Sequence, residues 1–157
     1  MTGGSDGYRA GGEDDDMEIR DFLDERKATY ERILQDLIEM PPARFDEQLG
    51  TTLPRAQGLY AISMIGAPGG EYLHVGKTAS GRNCLWGRVW EQHYQTGGSP
   101  GDLIEKVMAK GYGGNRGEAQ EHIRQNCQVQ WVEVEDDALR GWAEHYLLAV
   151  LVPIWCS

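Results

Sequence analysis

The chain has 157 residues, a net charge of −10 and 40% hydrophobic side chains, which is enough for one domain with a sizeable core. No stretch approaches the roughly 18 uncharged apolar residues of a membrane span, and the N-terminus lacks the basic-then-apolar pattern of a signal peptide, so no membrane partner is expected. Three widely spaced cysteines, Cys84, Cys127 and Cys156, form no CxxC pair; they read as small hydrophobes in a reduced, cytoplasmic protein and argue against structural zinc.

Residues 1–15, rich in Gly and Asp, predict a disordered acidic leader. From 16 to 40, Ile19, Phe22, Leu23, Tyr30, Ile33, Leu34, Leu37 and Ile38 recur at helical spacing until Pro41-Pro42 stops the pattern. Residues 16–52 are therefore expected to form an N-terminal helical extension of one or two helices. The acidity is concentrated here: residues 1–26 carry nine acids against three bases, and residues 27–49 five against three. From Gly50 onward eleven acids nearly balance nine bases, so the following domain, 53–157, lacks the basic excess of a high-affinity duplex binder. The acidic N-terminal region offers a surface for a protein partner.

Residues 58–65 form an apolar run that Gly66, Pro68, Gly69 and Gly70 break before 72–75 resumes it, which predicts a hairpin. Alternation puts Tyr60 with Ile62 on one face of the first strand and Tyr72 with His74 on one face of the second. Helices are expected over 84–95, 102–110 and 117–126, and a third strand over 129–134. Asp136 or Asp137 caps a last helix that runs through Leu139, Trp142, Ala143, Tyr146, Leu147 and Val150 to Pro153. The fold class is then α+β, a small antiparallel three-stranded sheet flanked by helices.

Two strand motifs, Gly58-Leu59-Tyr60 and His74-Val75-Gly76-Lys77-Thr78, are followed by Arg88 in Leu85-Trp86-Gly87-Arg88-Val89-Trp90 and by Glu144 on the last helix. In this order they resemble the GIY-YIG nuclease signature, restriction-endonuclease-like members in particular, over roughly residues 53–156. The resemblance implies that Tyr60 and His74 line a cleft, His74 standing where the family has its second Tyr. It implies that Lys77 belongs to a Gly-Lys extension and that Arg88 is the essential helical Arg. The family places a His or Tyr one turn beyond that Arg; here Gln92 is fourth and His93 fifth. Glu144 matches the metal-binding Glu, while Cys156 stands where restriction-type members have an Asn.

The implied activity is metal-dependent endonucleolytic hydrolysis of DNA, with RNA left open as the alternative substrate. Such chemistry needs an activated water, neutralised phosphoryl oxygens and a stabilised leaving alkoxide. Glu144 would hold one Mg²⁺ or Mn²⁺, since hard cations keep most of their waters and need few carboxylates. Arg88 would clamp the phosphate through its planar fork. Tyr60 would act as or orient the base, its phenol shifted from a pKa of about 10 by Lys77 or the metal. His74, titrating near roughly 6.5, offers a second proton acceptor. The alternative is a GIY-YIG-fold module with catalysis weak or lost, which binds nucleic acid or protein. Gly76-Lys77-Thr78 is no phosphate-binding P-loop, because Glu71 stands where its first Gly belongs, and His122, His145 and the cysteines lack zinc-ligand spacing.

Overall fold

The computed structural model describes residues 13–66, 71–79 and 83–155. The leader expected over 1–15 therefore lies mostly outside the described residues, as do Pro68, Gly69, Gly70 and Cys156. In chain order the elements are α1 (Glu13–Glu39), β1 (Ala43–Arg44), α2 (Leu49–Thr52), β2 (Gly58–Met64) and β3 (Tyr72–Lys77). A π-helix (Trp86–Thr96), α3 (Leu103–Ala109), α4 (Arg116–Asn126), β4 (Cys127–Glu133) and α5 (Asp137–Leu151) follow.

The class is α+β, but the sheet has four antiparallel strands in the order β1-β4-β2-β3 rather than three. The added strand is two residues long, Ala43 facing Val129 and Arg44 facing Gln128, too short to carry any periodicity of its own. Pro41-Pro42 ends α1 and leaves the chain extended along β4, where Gln130 Nε2 donates to the carbonyls of Ile38 (3.0 Å) and Met40 (2.6 Å).

β2 is the central strand, and its alternate side chains meet two different layers. Tyr60 and Ile62 join Phe45, Leu85, Val89, Leu103, Ile104 and Ile123 under the π-helix, α3 and α4. Leu59 and Ala61 join Ile33, Leu37, Ala143 and Leu147 from α1 and α5. Gly58 opens β2 because a Cβ there would lie 2.3 Å from the Val132 carbonyl oxygen of the neighbouring strand.

The hairpin register corrects the expected faces of β3. Ile62 faces His74 and Ser63 faces Tyr72, so β3 spends one residue more than β2 at Leu73. This bulge turns Tyr72 toward the α1/α5 layer while His74 stays on the face of Tyr60. The outer edge of β3 is covered after α5, where Ile154 N–H bonds the Tyr72 carbonyl (3.0 Å) and Trp155 N–H that of Leu73 (2.9 Å). Asp136 caps α5 as its sequence suggested, its carboxylate accepting from Leu139 N–H at 2.7 Å.

Candidate functional site

Four of the motif side chains, Tyr60, His74, Arg88 and His93, meet in one cluster beneath β3. The Tyr60 hydroxyl lies 2.7 Å from His93 Nε2 and 3.5 Å from His74 Nε2, and the Arg88 guanidinium is close enough to act electrostatically on the same oxygen. Gly76, directly opposite Tyr60 in the hairpin, leaves room for the phenol: a Cβ there would lie 2.4 Å from the Tyr60 oxygen and 3.1 Å from His74 Nε2. The glycine of the second motif is thus a packing requirement of the first motif's tyrosine. Gly76→Ala is expected to push the ring aside, break the Tyr60–His93 bond and cost about 1–3 kcal/mol. Thermal unfolding reads this; a melting temperature equal to the parent's would show that the ring has room to move.

The π-helix explains how His93, five residues after Arg88, reaches the place of a residue one turn on. Its bonds run from residue i+5 to i, as in Gly97 N–H to the Gln92 carbonyl at 3.1 Å, so residues five apart approach a common face. The residue four on, Gln92, instead accepts a hydrogen bond from Arg88 Nη1 at 2.8 Å. The helix is anchored by Trp86, whose ring N–H donates to the Gly50 carbonyl at 2.9 Å and whose face carries the Arg55 guanidinium at 4.0 Å.

Hydrogen bonds assign the proton positions. Leu103 N–H, free at the start of α3, donates to His93 Nδ1 at 2.8 Å, which leaves the neutral ring its proton on Nε2, facing Tyr60. Lys106 Nζ lies 3.4 Å from His74 Nδ1, and as a donor it likewise directs the His74 proton to Nε2. The buried Tyr60 oxygen therefore faces the ring N–H groups of His93 and His74.

Burial, then the charges of Lys106 and Arg88, push the His74 pKa down to about 3. The expectation that it titrates near neutrality is thereby corrected. His93 is likewise held well below its usual range by burial and by His74, Arg88 and Lys106. Arg88 loses to burial but gains more from the Tyr60 oxygen and Asp102, and ends above its ordinary value. Because the folded state refuses protons that the unfolded chain accepts, these two histidines lower stability as pH falls below their unfolded value of about 6.5. Between about pH 6.5 and pH 5 each is expected to contribute a slope of roughly 1.4 kcal/mol per pH unit. Urea unfolding across that window, with His74→Gln as reference, measures it; a slope unchanged in the variant would mean that His74 protonates freely in the folded chain.

Two residues of this cluster escaped the sequence reading. Asp102 is buried, bonds Arg88 Nη1 at 2.8 Å and accepts from Ser99 N–H at 2.9 Å, so it fixes the guanidinium from the start of α3. Lys106 donates to the Trp155 carbonyl at 2.6 Å and lines a cleft with His74, Val75, Glu144, Leu148 and Pro153. Asp102 follows Ser99-Pro100-Gly101 directly ahead of an apolar run, a helix-start signal that said nothing of an arginine partner. Lys106 reads from sequence as an ordinary solvated helix charge.

Lys77 is corrected too. In register with Leu59, it points to the face opposite Tyr60, and its ammonium lies 3.3 Å from Glu144 Oε2. Glu144 is therefore turned toward β3 and half-buried, on the rim of the cleft that His74 and Lys106 share. Among the described residues no group of three or more His, Cys, Asp or Glu side chains is gathered to hold a metal. A single carboxylate on an open cleft still suits a hard cation that keeps most of its waters and takes further oxygens from a phosphate. In comparisons with family models, with curated proteins and with solved structures, nothing matches this chain.

Proposed function

We propose that the chain is a GIY-YIG-type endonuclease that hydrolyses phosphodiester bonds in DNA at the cleft between His74, Lys106 and Glu144. The observation that carries the reading is convergence: Tyr60, His74, Arg88 and His93, from two strands and a helix, meet around one phenol oxygen beside the cleft where Glu144 stands. Glu144 would hold the Mg²⁺ or Mn²⁺, which when bound supplies Lewis acidity toward a phosphoryl oxygen. Arg88, fixed by Asp102 and Gln92, and Lys106 supply positive charge toward phosphate oxygens. Tyr60, as its phenolate, would take up the proton that the attacking water gives up and so become the neutral phenol, with neutral His74 between it and the cleft.

The test is cleavage of single-stranded, duplex and branched DNA with Mg²⁺ or Mn²⁺, set against chelator, with RNA substrates alongside. Metal-dependent products that disappear in Glu144→Gln support the reading. A second reading, a nucleic-acid-binding module without turnover, is favoured by two observations: Tyr60 is fully buried, and Glu144 is already engaged by Lys77. Salt-sensitive DNA binding with no cleavage of any of these substrates would select it.

A further inference from the structure

α1 leaves the domain half-way along its length. Ile19, Leu23, Arg26, Tyr30, Ile33 and Leu37 recur at alternating spacings of four and three, a single seam along the helix. From Ile33 onward the seam is buried in the α1/α5 layer, and Tyr30 stacks on Tyr146 of α5 at 5.6 Å between ring centroids. Before that it is bare: Met17, Ile19, Phe22 and Leu23 are each more than half exposed. A helical stretch of this length is marginal in water without a surface to cover its apolar stripe.

Where α1 parts from α5 the two helices form the walls of a groove. Phe22 and Tyr30 stand on one wall, Leu139 and Trp142 on the other, and Trp142 is also more than half exposed. Glu25 and Asp136 line the groove, while Asp21, Asp24, Glu135 and Asp137 are exposed in the adjoining turns. Arg26 also lines the groove, its guanidinium 5.1 Å from the Phe22 ring centre, Lys27 pairs with Glu31 at 3.7 Å and Asp137 with Arg140, so the rim keeps an excess of acids over bases. The site is an apolar trough with an acidic rim.

We propose that this groove docks a basic amphipathic helix of a protein partner, its apolar face seated between Phe22 and Trp142 and its cations directed at the acidic rim. Charge decides against a second copy of the chain, because residues 13–25 carry eight acids against one base and would meet acids again. The groove lies on the face of the sheet opposite Tyr60, so the proposal does not depend on nuclease activity.

The probe is a Leu/Lys amphipathic peptide of about 18 residues, with a Leu/Glu peptide of the same pattern as control, titrated calorimetrically into the full chain. The Leu/Lys peptide is expected to bind and to weaken by about tenfold between roughly 50 and 300 mM salt. Phe22→Ser with Trp142→Ser keeps every charge and should lower affinity at least about tenfold, or roughly 1.4 kcal/mol. Both positions are exposed, so the fold should persist by circular dichroism; Tyr112→Ser, an exposed aromatic elsewhere, should bind as the parent does. Equal binding of the Leu/Glu peptide, or undiminished affinity in the double variant, would overturn the proposal. So would a chain that sediments alone as a dimer and becomes a monomer on Phe22→Ser, which assigns the groove to a second copy.

Discussion

Arg140→Ala is expected to lose on the order of 4 kcal/mol of stability, more than loss of any ion pair on the surface. Arg140 is almost wholly buried, and its guanidinium is shared among three carbonyls: Nε to Thr78 at 3.1 Å, and Nη1 to Val134 at 2.8 Å and Glu135 at 3.2 Å. It also pairs with the Asp137 carboxylate, which is largely exposed. The two components separate by mutation. Asp137→Ala removes a carboxylate that is largely exposed while the guanidinium keeps its three carbonyls, and should cost less, about 1–2 kcal/mol. Arg140→Ala strands the buried Thr78 and Val134 carbonyls, at about 1–3 kcal/mol each. Urea midpoints of the two variants give the comparison. A loss in Arg140→Ala no larger than in Asp137→Ala would show that water replaces the guanidinium, and the buried position would carry little weight. The bond to Thr78 also ties α5, the helix bearing Glu144, to the residue that follows Lys77 at the end of β3.

Under the proposed function, Glu144→Gln should reduce cleavage by roughly 10³-fold or more while binding and fold persist. The substitution keeps volume and hydrogen-bonding shape but removes the charge. Its structural cost should stay small, because the lost partner is the partly exposed Lys77 pair, worth no more than about 1 kcal/mol. Arg88→Lys is the companion test. An ammonium cannot serve Asp102, Gln92 and the Tyr60 oxygen together, so activity should fall severely in that variant as well. Single-turnover cleavage with Mg²⁺, alongside DNA affinity without metal, separates the chemical step from binding. Turnover comparable to the parent in Glu144→Gln would remove this carboxylate from the reaction.

The long-period features of this fold were legible because burial imposes them on the residues themselves. A continuous apolar run marked β2, near-alternation marked β4, helical spacing of apolar residues marked α1, and a capping aspartate marked the start of α5. The departures share a cause: each is set by a neighbour distant in sequence. Ala43–Arg44 is a strand only because β4 lies beside it, and the bulge at Leu73 exists only relative to β2. The wider winding of Trp86–Thr96 leaves no periodic trace in so short a segment, although it decides that His93 rather than Gln92 meets Tyr60. Arg140 did leave a signal, since it shares i, i+3, i+7 spacing with Ala143 and Leu147, a charge placed on the buried stripe of its own helix. Tyr60, His74, Arg88 and Glu144 were singled out by the resemblance of their motifs to a nuclease signature, whereas Asp102 and Lys106 act through contacts that no local pattern encodes.

The central place of β2 has a consequence for how the protein can vary. Its odd-numbered residues, Leu59 and Ala61, touch only the layer of α1 and α5, and its even-numbered ones, Tyr60 and Ile62, only the layer of the π-helix, α3 and α4. Substitutions at these β2 positions in different layers should add in their effects on stability, whereas pairs within a layer should show coupling. Outward-facing residues of the groove beside Trp142 can then drift across generations with little effect on the buried cluster around Tyr60, the two meeting only where Glu144 of α5 reaches the cleft beside His74.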